Sequence, residues 1–237
     1  MAEKGLFITF EGIEGSGKST QAAQLADYLE SSHVPLIMTR EPGGTALGEK
    51  IRSLLISPEN KDMDDLTEVF LFAAARRQHV CQLIKPSLSD GMTVICDRFA
   101  DATMAYQGYG RGLNPDDIKY INDLCLWGVK PDITFLIDID VDLSFERIRR
   151  RCEEQGQELD RLERLDRDFF MRVRDGYLNL ASIYSDRYHC LDGSRSPEDI
   201  GEEIVKIVMP QLLKRMPHGA FSAVAESVTE ELEKKWN

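Results

Sequence analysis

Residues 12–19 read Gly12-Ile13-Glu14-Gly15-Ser16-Gly17-Lys18-Ser19, and the apolar run GLFITF (5–10) stands just before them. Ala22, Leu25, Ala26 and Leu29 follow at the i, i+3, i+4, i+7 spacing of a helix face. A strand, a glycine turn and a helix in that order leave few folds open. Glycines let backbone N–H groups turn inward, and the helix start adds partial positive charge, so the turn forms a cradle for phosphate oxygens. On this reading the whole run from Gly12 to Ser19 holds a nucleoside triphosphate. Lys18 reaches its β- and γ-phosphates and Ser19 ligates Mg2+.

Four more apolar runs recur along the chain: VPLIMT (34–39), MTVIC (92–96), ITFLIDI (133–139) and the weaker RYHCLD (187–192). Nearly unbroken runs of this kind suit strands buried on both faces of a parallel sheet. Helical periods lie between them. Leu47, Ile51, Leu54 and Leu55 mark one, and Val69, Phe72, Ala73, Val80, Leu83 and Ile84 predict a single long helix through about residue 89. Further periods run near 115–127, 142–152, 168–186 and 197–215. The alternation predicts an α/β fold, a three-layer sandwich around a five-stranded parallel sheet. No repeat or Gly/Ser linker divides the chain, so residues 1–215 read as one domain. Met216-Pro217-His218-Gly219 breaks the last helix, and Phe221, Val224, Ala225, Val228 and Leu232 then form an apolar stripe. A helical extension over 216–237, packed on the same domain, is expected; a partner contact is the other reading.

Charge narrows the ligands. The chain has 29 Lys+Arg against 41 Asp+Glu, a net charge of −12, so it will not coat nucleic acid or anionic lipid. An anion must be held by locally concentrated cations. No apolar run approaches the ~20 residues of a membrane span, and the N-terminus lacks a signal-peptide pattern, so a cytoplasmic location is expected. The five cysteines and four histidines show no metal-ligand spacing.

Ligands of open α/β sheets bind beyond the carboxyl ends of strands. Asp97-Arg98-Phe99 stands at such an end, with Asp97 placed for the Mg2+ shell and Arg98 for a second phosphate. The turn Glu41-Pro42-Gly43-Gly44-Thr45 follows the second run, brings backbone close to a ligand and places Glu41 at the acceptor site; Arg52 reaches the same cleft one helix later. Phe72 and Arg76 share a helix face, one to stack on a base and one to read its edge or a phosphate; Phe72 alone reads as plain core, and Arg76 on the same face is what favours the sharper reading. Arg147, Arg149, Arg150, Arg151, Arg161, Arg164 and Arg167 crowd a stretch interrupted by Gly156. Two short helices around a hinge are expected there, forming a lid over about 147–167 that carries arginines to the transferring group and excludes water. A solvated helix face is the bland alternative. Asn60-Lys61-Asp62-Met63 fails the guanine-reading motif at its last position, which argues against a GTPase.

Phe10-Glu11-Gly12, Thr39-Arg40-Glu41-Pro42-Gly43-Gly44-Thr45, Phe72-Ala73-Ala74-Ala75-Arg76, Asp97-Arg98-Phe99, Ala105-Tyr106-Gln107-Gly108 and Asp160-Arg161-Leu162-Glu163 occur in the order and spacing of a known family. Over about residues 5–210 the chain resembles the thymidylate kinases, in particular the bacterial type with a basic lid. The resemblance implies a nucleoside monophosphate kinase fold and the reaction ATP + dTMP → ADP + dTDP with Mg2+. It also implies roles. Glu14 contacts the deoxyribose 3′-hydroxyl, and Arg98 and Arg52 bind the monophosphate. Phe72 stacks on thymine, Arg76 bonds its O4, Thr103 and Gln107 face the base, and Tyr106 crowds the 2′ position. Arg161 is the lid arginine, so Lys18, Arg98 and Arg161 carry the catalytic charge. A homodimer is implied as well. Phe99 stands where the family motif has Tyr, and the tail exceeds the usual length. A related kinase acting on another nucleotide or deoxynucleoside, and a non-catalytic ATP-gated binding module, remain the alternative readings.

Overall fold

The computed structural model describes residues 5–156 and 158–215. Five strands form one sheet in the order β2-β3-β1-β4-β5: β1 (Phe7–Glu11), β2 (Leu36–Arg40), β3 (Thr93–Asp97), β4 (Ile133–Asp138) and β5 (Tyr188–Asp192). Every pairing is parallel. β4 begins where its apolar run does, and the other four strands begin one or two residues late; at β2 the reason is local. Val34 spends its N–H on Leu29 O, closing the turn after the preceding helix, and Pro35 has no N–H to give. At the other end β1 and β3 extend into Glu11 and Asp97, polar residues that an apolar run does not include.

Side chains alternate across the sheet. Ile8 and Phe10 join Ile95, Phe135 and Ile137 under α1 (Lys18–Ser31) and α9 (Pro197–Leu213). Phe7 points the other way, into a cluster with Val80, Ile84, Leu88, Val94 and Phe99. The helices between are α2 (Ala46–Ile56), α3 (Asp65–His79), α4 (Lys85–Ser89), α5 (Ala100–Thr103), α6 (Pro115–Leu126), α7 (Val141–Gln155) and α8 (Arg167–Ile183). The three-layer α/β sandwich is therefore as the alternation predicts.

Three stretches differ from expectation. The long helix through residue 89 is interrupted by a π-helical turn, Val80–Ile84, in which Lys85 N–H reaches back to Val80 O. Pro86 causes this: it has no N–H, its ring crowds the preceding turn, and widening that turn keeps the chain helical. Residues 100–110, where no helix is expected, form α5 and a second π-helical turn, Met104–Gly110. Its buried residues include two glycines, Gln107 and Tyr106, so no apolar stripe marks it. Third, the stretch expected as a lid is not two short helices. α7 runs unbroken to Gln155, Gly156 ends it at φ 61, and among the described residues no helix follows until Asp166 caps α8. Asp160 Oδ1 takes the N–H groups of Leu162 and Glu163, which holds that segment as a turn. The expected extension over 216–237 lies outside the described residues. No helix among the described residues is long and apolar enough to cross a membrane.

Glu11 is a carboxyl at the centre of the sheet. It accepts hydrogen bonds from Phe99 N–H (2.8 Å) and Tyr177 OH (2.9 Å). Burial, aided by the nearby Asp101 carboxylate, pushes its pKa from the ordinary 4.5 up to about 8. Between those values the folded chain keeps a proton that the unfolded chain has lost. Stability therefore falls as pH rises through that window and levels off above it. Urea midpoints measured from about pH 5 to 8 should show this fall, and Glu11→Gln should flatten it.

Candidate active site

At the end of β1 the chain turns through Gly12 (φ 139), Gly15 (φ 69) and Gly17 (φ 103). At Gly12 a side chain is excluded twice: the φ is unsuited to an L residue, and a Cβ would lie 2.4 Å from Ile137 O. Gly17 caps α1 without a side-chain acceptor, and no acid stands in the first turn. The positive end of α1 is thus presented to the loop and not neutralised by the helix itself. Lys18 is folded into the loop, 5% exposed, with Nζ donating to Ile13 O (2.6 Å) and Ser16 Oγ (3.2 Å). Burial, with the Arg98 charge adding to it, lowers its pKa to about 8. Ser19 Oγ donates to Asp97 Oδ2. A hydroxyl and a carboxylate oxygen meeting beside the loop fit Mg2+, a hard cation that takes most of its ligands from waters and phosphates.

Arg98 occupies the left-handed region at φ 68, which costs a non-glycine residue about 1–2 kcal/mol. Its surroundings hold it there. Its N–H bonds Phe10 O (2.9 Å), Nη1 donates to Gly12 O (2.8 Å) and Tyr177 OH (3.1 Å), and Nη2 donates to Glu14 Oε1 (2.9 Å) and Tyr106 OH (3.1 Å). Tyr106 OH in turn donates to Glu14 Oε2. Glu14, Arg98 and Tyr106 therefore form one knot between the glycine loop and the 104–110 turn.

The turn after β2 is built against α3. Gly44, at φ 74, passes so close that a Cβ would lie 2.5 Å from both His79 Nε2 and Thr39 Oγ1. Arg52 donates to Pro42 O (3.1 Å), and Glu49 accepts from Gly44 N–H (3.0 Å) and pairs with Arg40 (3.0 Å). Beneath them Glu41 pairs with Arg76 (2.8 Å) and bonds His79 Nδ1 (3.0 Å). Arg76 is 1% exposed and also donates to Asn122 Oδ1 (2.7 Å), Thr103 Oγ1 (2.8 Å) and Phe99 O (3.3 Å). These bonds use all but one of its N–H groups. Phe72 is half-buried against Ile51, Leu55 and Ala75, and Gln107 donates to Glu68 (2.7 Å).

These elements wall a cleft of about 650 Å³. Lys18, Arg40, Arg52, Arg98 and Arg151 line it together with Glu14, Glu41, Glu49, Asp97, Asp160 and Glu163. Five cations around one cavity supply the local positive charge that a chain of net charge −12 needs to hold a polyanion. Phe72, Arg76, Thr103, Tyr106 and Gln107 gather behind the cleft and do not line it. Arg161 does not line it either. Its guanidinium is buried, bonded to Glu68 and to Leu55 O (2.7 Å); of the seven arginines in the stretch expected as a lid, Arg151, paired with Glu163, is on the cleft wall.

Comparison with known proteins identifies the scaffold. The family model for thymidylate kinase matches residues 10–204. The chain belongs to the thymidylate kinase family. It is 46% identical over 215 residues to the thymidylate kinase of Pelobacter propionicus, covering 90% of this chain and 98% of that one. It is 48% identical over 189 residues to that of Desulfosudis oleivorans, covering 79% of this chain and 88% of that one. The crystal structure of thymidylate kinase from Ehrlichia chaffeensis superposes with a TM-score of 0.70 at 39% identity, over 87% of this chain and 99% of that one.

Within this thymidylate kinase scaffold, Glu14, Gly15, Lys18, Ser19, Glu41, Arg52, Asp97 and Arg98 line the cleft, whereas Gly12, Ile13, Ser16 and Gly17 do not, Ile13 being packed in the core. Arg40, Glu49, Asp160 and Glu163 are cleft residues that sequence reasoning passed over, as it did the buried Glu68. Glu68 had a signal: it stands four residues before Phe72 and eight before Arg76, on their helix face. Lys18 is held at a cost in desolvation, so Lys18→Met should leave thermal stability equal or slightly raised. Calorimetric titration of the same variant with a nucleoside triphosphate should show binding weakened at least about a hundredfold.

Proposed function

We infer that this thymidylate kinase transfers the γ-phosphoryl group of ATP to dTMP, giving ADP and dTDP. The convergence of Lys18 and Arg98 on one cleft, in a chain of this family, carries the reading. The donor phosphates lie along the glycine loop, drawn by the N-terminus of α1 and by Lys18. Arg98 and Arg52 take the acceptor phosphate. An oxygen of that phosphate forms the new P–O bond, the bond to the bridging oxygen breaks, and its electron pair leaves with ADP. No side chain forms a covalent bond; positioning and charge neutralisation do the work. Ser19 and Asp97 would hold Mg2+, which supplies charge neutralisation on the phosphates when bound.

The acceptor's nucleoside is read by the residues behind the cleft. Phe72 stacks on the base, Arg76 offers its remaining N–H to O4, and Thr103 and Gln107 face the ring edge. Glu14 meets the 3′-hydroxyl and Tyr106 closes the 2′ position. We read the unit as residues 1–215 with its lid over about 147–167, and within the lid we assign the charge on the transferring group to Arg151 because it lines the cleft. Arg161 then acts on the lid's position. A homodimer is supported by exposed apolar side chains on adjacent helices: Leu54 on α2, Leu66 and Phe70 on α3, Tyr120 and Leu124 on α6. The pools of ATP and dTMP favour a cytoplasmic location.

ADP release with Mg-ATP and a panel of nucleoside monophosphates and deoxynucleosides tests the reading. Strong turnover with dTMP, weaker with dUMP and negligible with ribonucleotides is the expected result. Turnover of a different acceptor would overturn the base-site assignment, and ATP binding without acceptor-dependent turnover would overturn the activity. Arg151→Ala should lower kcat about a hundredfold with KM for dTMP within about threefold. A pure KM effect would remove Arg151 from that role.

A further inference from the structure

Glu68 lies in the first turn of α3 with its side chain 1% exposed. Oε1 accepts from Gln107 Nε2 (2.7 Å) and more weakly from Arg111 Nε (3.4 Å), while Oε2 accepts from Arg111 Nη2 (3.1 Å) and Arg161 Nη2. These partners come from different parts of the molecule. Gln107 belongs to the 104–110 turn behind the acceptor side of the cleft, and Arg111 follows that turn. Arg161 comes from the lid, 93 residues further along the chain. The lid residue is fastened at two further points, its backbone N–H to Ile56 O (3.0 Å) and its Nε to Leu55 O (2.7 Å). One carboxylate thus joins the start of α3 to the lid and to the acceptor-side turn, and Arg161 ties the lid to the end of α2.

We propose that Glu68 is a positioning residue that couples the acceptor pocket to the lid, by holding Gln107 and Arg161 on the same carboxylate. The inference rests on the dTMP kinase reading for its kinetic consequences. A buried carboxylate with these partners is set in place: burial works against its charge, and the Gln107, Arg111 and Arg161 contacts outweigh burial and keep its pKa below the ordinary value. An acceptor base that engages Gln107 draws on a group already bonded to Glu68, and that carboxylate anchors the lid's Arg161. Seating of the base and closure of the lid thereby share one contact. The lid in turn carries Arg151, Asp160 and Glu163 onto the cleft wall. Loss of the anchor should let water reach the donor phosphate without an acceptor present.

Glu68→Gln tests this, because the amide keeps an oxygen for Gln107 and loses the charge that holds Arg161. Folding is checked by circular dichroism. The expected result is kcat for dTMP phosphorylation lowered at least about tenfold, KM for dTMP changed less than that, and acceptor-independent ATP hydrolysis raised several-fold as a share of turnover. Thermolysin cleavage at the leucines of segment 158–166 of the ligand-free enzyme should accelerate about tenfold. Arg161→Met should produce the same pattern, and the double variant should be no worse than the more affected single one. A Glu68→Gln enzyme that loses thermal stability but keeps wild-type kcat, hydrolysis share and protease resistance would overturn the proposal. If Glu68→Gln does not fold, Arg161→Met decides: an unchanged hydrolysis share and unchanged cleavage would overturn it equally. Wild-type enzyme that fails to turn over dTMP would defeat the activity reading instead, while the cleavage rates would still judge the anchor.

Discussion

Three strand ends are brought level by the register of the sheet. Phe10 stands opposite Asp97, and Asp97 stands opposite Arg40. Because all strands are parallel, the residues that follow these three positions emerge on the same edge: the glycine loop after β1, the Glu41 turn after β2 and Arg98 after β3. A slip of one residue in either pairing would reverse which side chains face the core. The apolar faces under α1 and α9 on one side and around Phe99 on the other therefore fix the register, and the register fixes the site. Packing energy far from the chemistry holds donor and acceptor groups within reach of each other.

On this edge the charges come mostly in pairs. Arg98 has Glu14, Arg40 has Glu49, Arg151 has Glu163, and Arg76 has Glu41. Pairing explains how an acidic protein keeps many cations in one cleft without their mutual repulsion opening it. Each pair also holds a guanidinium in a defined orientation before a phosphate arrives, so less order has to be created on binding. Lys18 is different. Its ammonium rests on a backbone carbonyl and a hydroxyl, which makes it the cation most readily released to a phosphate.

The layered fold and the glycine loop were legible because each rests on a local pattern: unbroken apolar runs, helical spacing and a motif between a strand and a helix. Strand ends were less so, because Glu11 and Asp97 continue their strands as polar residues for tertiary reasons. The Met104–Gly110 turn was invisible to periodicity, since a wide turn does not repeat at the spacing of an α-helix. In the stretch expected as a lid, charge and spacing do not tell seven arginines apart, and the resemblance alone singles out Arg161. Which one faces the cleft depends on Gly156 and on the Asp160 turn that sends Arg161 toward α3 and leaves Arg151 at the opening. Glu68 was missed because a carboxyl in the first turn of a helix is usually explained by the helix dipole.

The buried cluster of Glu41, Arg76, His79 and Asn122 bears on how such a site can change over evolutionary time. Each member answers another's hydrogen bonds, and removal of one partner from a buried ion pair leaves a charge that costs about 3–5 kcal/mol. That is a large share of what holds a domain of this size together. Single replacements at Arg76 therefore pass through poorly folded intermediates. Change at this position needs concerted replacement of its partners, Thr103 among them. The network works as a ratchet: it resists being dismantled one residue at a time.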